Sequence, residues 1–236
     1  MGADTPRRTL PLPDASKNPP LRLLPAGSLV TTGPVDHADW NFRPLIGTLS
    51  RLRFKAVVAL LGSRRMTRLL EIGYGSGIFL PELARHCDEL YGLDIHSENE
   101  RVASILHDFS VQATLMTGSA TDLPFPACSF DCVVCVSALE FIDDLPRACD
   151  EIARVLEPGG SCIVVTPAIS KLLDLALLLA TGQDASDDFK NRRERILPEL
   201  QRRFTVVRRR KVPSFVPGFR LYTSLELVPL RGASAG

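Results

Sequence analysis

The chain has 236 residues, 45% hydrophobic and 23% charged, which is ample for one ordinary packed core and short for two large domains. Its 28 Lys and Arg against 27 Asp and Glu leave a formal net charge of +1, so charge alone provides no attraction to nucleic acid or to an acidic membrane. Met1–Pro20 is rich in proline and polar residues and lacks the apolar stretch of a secretion signal, so a cytoplasmic protein is expected.

Residues 1–34 show little periodicity and hold many of the prolines, which predicts a mobile or extended lead-in ahead of a single domain over 35–236. His37-Ala-Asp-Trp-Asn-Phe42 then groups an imidazole, the carboxylate of Asp39 and two aromatics. Such a stretch either closes over a ligand or staples the N-terminal segment to the core. From about 44 to 61, Leu45, Leu49, Leu52, Val57, Leu60 and Leu61 recur at near-helical spacing, with Arg51, Arg53 and Lys55 between them, as in an amphipathic cap helix.

Arg68–Leu80 reads as a buried strand running through three alternating glycines into a helix. Leu69, Leu70 and Ile72 supply the strand, and Gly73, Gly75 and Gly77 let the backbone turn tightly where a Cβ would collide with a ligand. That arrangement builds a nucleotide-sized site. Glu71 is an acid in an apolar strand end, costly to bury unless a ligand or the turn's amides meet it. The spacing is G-x-G-x-G after an acid, whereas a dinucleotide fold offers G-x-G-x-x-G.

Helix is expected over Ile78–Arg85, then a strand Glu89–Ile95 ending in Asp94, an acid placed to accept from ribose hydroxyls. Helix over Ser97–Phe109, a third strand near 112 and a loop Thr117–Phe125 follow. Phe130–Val136 is the fourth strand, Ser137–Phe141 leaves its carboxyl end, Leu145–Leu156 is helical, and Leu156–Gly160 turns into a strand Cys162–Thr166. Such alternation argues for a parallel sheet with helices on both faces. Cys132 and Cys135 form a C-x-x-C, but positions three apart on a strand point to opposite faces, so they read as core fillers and no metal site is expected.

Beyond Thr166 the apolar run Leu172–Ala180 is too short to span a bilayer, leaving a cap helix, membrane-surface contact or a lipid-like substrate as its readings. A polar break at Gly182–Asp187, a charged helix Asp188–Leu200 and two strands near Phe204–Val212 and Phe219–Pro229 complete the chain. Arg202, Arg203, Arg208, Arg209, Arg210 and Lys211 cluster on this last hairpin, either as a solvated, charge-protected strand or as a site for an acidic substrate.

In order and spacing, Glu71–Gly77, Glu89–Ile95, Thr117–Phe125, Phe130–Val136 and Leu156–Gly160 resemble the motifs of class I S-adenosylmethionine-dependent methyltransferases, of the methyltransferase-domain-11 kind. The resemblance implies an α/β, Rossmann-like, seven-stranded and mostly parallel sheet with an antiparallel last strand, and an insertion at about 168–200. It implies S-adenosyl-L-methionine as cofactor and S-adenosyl-L-homocysteine as product. Carried over, it places the cofactor among Glu71, Gly73, Tyr74, Gly75, Gly77, Asp94, Ile95, Ser119, Ala120, Asp122 and Ser137. Ser119 stands where the family carries an aspartate, so Ser119, Asp122 or backbone holds the adenine. Candidate bases are His37, Asp39 and Glu140, with His96 expected along the adenosine edge.

A small-molecule acceptor is expected, with an apolar or lipid-like one among the readings, and peripheral membrane contact at most. No nucleic-acid partner is expected, because Val136–Leu139 holds no aromatic to stack on an extruded base. The rival readings are a non-methylating S-adenosylmethionine-binding protein and, against the glycine spacing, a nicotinamide-dependent oxidoreductase.

Overall fold

The structure, a computed structural model, describes residues 20–33, 38–44, 46–168, 187–213 and 220–230. Seven strands form one sheet: β1 Met66–Ile72, β2 Cys87–Asp94, β3 Thr114–Thr117, β4 Phe130–Val136, β5 Leu156–Pro167, β6 Phe204–Val212 and β7 Tyr222–Pro229. Their order is β3-β2-β1-β4-β5-β7-β6. The first five run parallel, and β7 lies antiparallel between β5 and β6. The order reverses between β1 and β4, where an open α/β sheet leaves a crevice at the carboxyl ends of its strands.

Alternation along the strands divides the core into two layers. On one face Leu69, Cys132, Val134, Ile163 and Val165 pack with α1 (Ile46–Leu61), α2 (Leu80–Leu83) and α3 (Asn99–Asp108). On the other, Leu70, Val133, Cys135 and Cys162 pack with α4 (Leu145–Val155) and α5 (Asp187–Arg203). Cys132 and Cys135 therefore lie in different layers, as the strand period requires. No described helix is long and apolar enough to cross a membrane.

Three elements differ from the sequence pattern. The helix expected over Ile78–Arg85 is regular only at Leu80–Leu83, where Pro81 in its first turn has no N–H; single turns carry the chain on to His86. The third strand begins at Thr114 instead of near 112. Strand β5 takes in Leu156–Gly160: Phe130 pairs with Leu156 and Cys132 with Ser161, so the glycines form an irregularity within the ladder. The run Leu172–Ala180 lies outside the described residues.

The described part of the lead-in, 20–33, is anchored. Leu24 is fully buried, its N–H donates to the Ile78 carbonyl at 3.1 Å, and the Arg22 N–H donates to buried Glu82 at 2.7 Å. Leu24→Ala should lower unfolding free energy by about 2–3 kcal/mol in a denaturant titration, through lost transfer energy and a cavity. A change below about 0.5 kcal/mol would mean that the segment only rests on the surface.

Ion pairs account for half of the basic cluster. Arg202 and Arg203 pair with Glu199 at 2.9 and 3.2 Å, Arg203 also bonds Asp150, and Arg208 bonds buried Glu226 together with the Leu60 carbonyl at the end of α1. Arg209, Arg210 and Lys211 stand exposed on β6, an edge strand of the sheet. Charges there oppose edge-to-edge pairing, which favours the reading of a solvated, protected strand.

Candidate functional site

The glycine loop leaves β1 at Ile72 and is fixed at both ends. The Gly73 N–H donates to the Leu93 carbonyl at 2.8 Å and the Gly77 N–H to the Tyr74 carbonyl at 2.9 Å. Gly73 has φ +77°, and a Cβ there would lie 2.5 Å from the Ala138 Cβ, so only glycine lets the segment after β4 approach β1. A Cβ on Gly77 would meet Val102 of α3 at 2.7 Å. These glycines close the backbone together as well as opening space for a ligand.

Asp94, at the end of β2, binds the loop directly. One carboxylate oxygen accepts from the Gly75 N–H at 2.8 Å, and the other from Ile95 at 2.7 Å and His96 at 3.4 Å. A carboxylate offers about four acceptor sites, so roughly one remains for a hydroxyl. Ile95 beside it is 81% exposed, an apolar side chain open to solvent at the strand end. The ring of His96, expected along the adenosine edge, turns back: its Nε2 lies 3.0 Å from the Gly75 carbonyl.

Ser119 lies at the carboxyl end of β3, exposed, its hydroxyl 2.7 Å from that of Thr121. Ala120 is buried. Asp122 is exposed farther along the loop; the Glu151 hydrogen bond, and after it the charges of Glu151 and Asp122, raise the basicity of Arg154, which donates to the carbonyls of Leu123 and Phe125. The Gly118 N–H donates to the Asp94 carbonyl at 2.8 Å, so Ser119 directly follows a residue bonded to the end of β2, whereas the charge of Asp122 acts on Arg154.

A second group of polar atoms lies across the crevice. Glu71 is 3% exposed, and burial, with Asp94 next, pushes its carboxyl up to about 8 against the opposing charge of Arg53. Glu140, in the 3-10 turn Leu139–Phe141 after β4, is 1% exposed; burial pushes it up to about 7, while its own backbone N–H, Arg193 and Arg53 hold it down. Burial also raises the Tyr222 hydroxyl, which bonds Ser50 of α1 and faces Arg53, Glu140 and Arg193. The cap helix, the turn after β4, α5 and the start of β7 therefore converge on one charged cluster. Ser137 adjoins it with φ +52°, a left-handed conformation uncommon outside glycine.

Among the described residues, Arg53 Nε, Glu71 Oε2, Tyr74 Oη, Ser137 Oγ, Glu140 Oε2, Thr166 Oγ1 and Ser224 Oγ are buried without a hydrogen-bond partner in the chain. Folded chains pair nearly all such atoms. Glu71 and Thr166 lie in the last residues of β1 and β5, Ser137 and Glu140 follow the carboxyl end of β4, and Val165 of β5 is paired with Ser224 of β7. The concentration of unsatisfied groups makes this end of the sheet the candidate site for a polar ligand.

The sequence pattern did not single out Arg53, Ser50, Thr166, Arg193, Tyr222 or Ser224. For Arg53 a signal exists: Ser50, Arg53, Phe54, Val57, Leu60 and Leu61 form one helical stripe, in which a cation breaks an apolar face. The others lie on elements whose placement only the fold provides. His37 lies outside the described residues, and Asp39 falls in a 3-10 turn, Ala38–Phe42, that packs on α1.

A family model described as a methyltransferase domain matches residues 70–164. A bifunctional biotin-biosynthesis protein of Cellvibrio japonicus is 34% identical over 114 residues, 46% of this chain and 21% of that protein. A ubiquinone-biosynthesis O-methyltransferase of Psychrobacter cryohalolentis is 31% identical over 106 residues, 42% of this chain and 40% of that one. The chain thus spans less than half the length of these curated relatives. The solved N-methyltransferase NodS of Bradyrhizobium japonicum, in complex with S-adenosyl-L-homocysteine, superposes with a TM-score of 0.59 at 19% identity, covering 83% of this chain and 94% of its own. The matched core runs from the middle of β1 into β5 and takes in the glycine loop and Asp94, so this part of the chain is similar to a methyltransferase domain.

Proposed function

We propose that the chain transfers the methyl group of S-adenosyl-L-methionine to a small-molecule acceptor, with Glu140 taking the acceptor's proton. The observation that carries this reading is the set of buried, unpartnered polar atoms at the carboxyl end of the sheet. Their chemistry fits the cofactor. Glu71 Oε2 would accept from its ammonium, Arg53 Nε would donate to its carboxylate, the free acceptor capacity of Asp94 would take a ribose hydroxyl, and exposed Ile95 would gain cover from adenine. Ser119, just beyond the carboxyl end of β3, would meet the adenine edge in preference to Asp122.

When bound, the cofactor supplies an electrophilic methyl group and a neutral thioether leaving group. The protein's share is to position the acceptor, exclude water and hold its proton. Glu140 Oε2 would take the proton that the acceptor's nucleophile loses on methylation. A buried carboxyl pushed up to about 7 is matched to that task near neutrality. Leu49 and Phe141, 41% and 46% exposed, adjoin Ser50 and Glu140 in the chain and support an acceptor with an apolar body. The name of the ubiquinone-biosynthesis relative agrees with that class.

Titration calorimetry with S-adenosyl-L-methionine, followed by mass spectrometry of a panel of acceptors, tests the reading. Asp94→Ala should weaken cofactor binding by about 1.5–3 kcal/mol, the scale of charge-assisted hydrogen bonds. Unchanged affinity would remove Asp94 from the site. Binding without transfer to any acceptor favours a non-methylating cofactor protein, and tight NADH binding with no affinity for S-adenosylmethionine overturns the reading altogether.

A further inference from the structure

We infer that His96 is a positioning residue that locks the Gly75 peptide in its cofactor-receiving orientation. The inference rests on the reading that the glycine loop holds S-adenosylmethionine. His96 is itself held on three sides. Its carbonyl accepts from the Thr117 hydroxyl at 2.8 Å, its ring meets Tyr74 edge-on with centroids 4.9 Å apart, and its Nδ1 accepts the Glu98 N–H at 3.1 Å.

An Nδ1 that accepts a hydrogen bond carries no proton, so the ring is the neutral tautomer with its proton on Nε2. That proton points at the Gly75 carbonyl, 3.0 Å away. The Gly75 N–H donates to Asp94 at 2.8 Å, so both polar groups of Gly75 are committed to the end of β2.

A glycine in this loop needs such a clamp. Gly75 and Gly77 sit at φ +52° and +73°, and glycine crosses between the two halves of backbone space at little cost. Asp94 restrains only the amide before the Gly75 Cα. Without His96 the peptide after it is free to rotate, turning its carbonyl toward the ligand and spreading the loop over several conformers. Apparent affinity then falls by the fraction of chains that retain the receiving form.

The test is calorimetric titration of S-adenosyl-L-homocysteine into the whole chain and its His96→Phe and His96→Gln variants, with apo thermal midpoints measured alongside. Phenylalanine keeps a ring against Tyr74 but has no donor, whereas glutamine can restore an N–H toward Gly75. His96→Phe should bind about tenfold more weakly with an apo midpoint near that of the wild type, and His96→Gln should recover to within about threefold. Wild-type affinity in His96→Phe overturns the clamp, and so does an equal loss in both variants, which would assign the effect to packing. Failure of the wild-type chain itself to bind would instead overturn the cofactor reading on which the clamp rests.

Discussion

Glu140→Gln is expected to reduce methyl transfer about 10²- to 10⁴-fold, the range for removal of a positioned general base, while leaving the dissociation constant for S-adenosyl-L-methionine within about twofold. Glutamine preserves the size of the side chain and its ability to accept a hydrogen bond, but cannot take a proton near neutrality. The pH profile provides the sharper readout. Only the ionised carboxylate acts as base, and burial pushes the Glu140 carboxyl up to about 7, against the charges of Arg193 and Arg53. Turnover by the wild type should therefore rise with pH through about 7 and level off above it. The residual activity of the variant should lack that limb. A profile unchanged by the substitution would place the proton elsewhere, with Asp39 and His37 as the next candidates to replace.

The proposed cofactor half of the site could be named from the sequence because it consists of short-range patterns. A strand, three alternating glycines and an acid at the next strand's end specify one another within Leu69–Asp94, and the structure joins them through the Gly75–Asp94 bond. The sheet followed from alternating strands and helices, since parallel strands require crossovers. The antiparallel direction of the last strand came from the family resemblance and not from hydropathy. The acceptor half was nearly invisible: Tyr222 of β7, Arg193 of α5 and Arg53 of α1 act on one another, and on Glu140, across long separations in the chain. His96 was read by its neighbour Asp94 rather than by the bonds its ring makes. Its true signal, a residue able to accept from Glu98 and donate to Gly75 at once, exists only in three dimensions.

Glu71 should give the apo chain a stability that falls as pH rises, and cofactor binding should reverse the cost. Its carboxyl, ordinarily near 4.5, is pushed up to about 8 in the folded chain, first by burial and then by Asp94. The folded state therefore holds a proton that the unfolded state has released throughout that window. Stability contributed by Glu71 is fully present below 4.5 and is lost progressively as pH rises through about 8. At about 1.4 kcal/mol per unit the full loss is roughly 4–5 kcal/mol, and Glu140 adds a smaller loss of the same sign up to about 7. Glu71→Gln should flatten most of this slope, so that above pH 8 the apo variant is more stable than the wild type in urea titrations. The ammonium of the cofactor favours the ionised carboxylate, so binding at pH 7 should expel close to one proton. Calorimetry in buffers of different ionisation enthalpy measures that number directly, and affinity should climb with pH until about 8. In Glu71→Gln the proton release should vanish and binding weaken. Equal proton release by the two forms would separate Glu71 from the cofactor's amino group and leave its burial without a ligand to explain it.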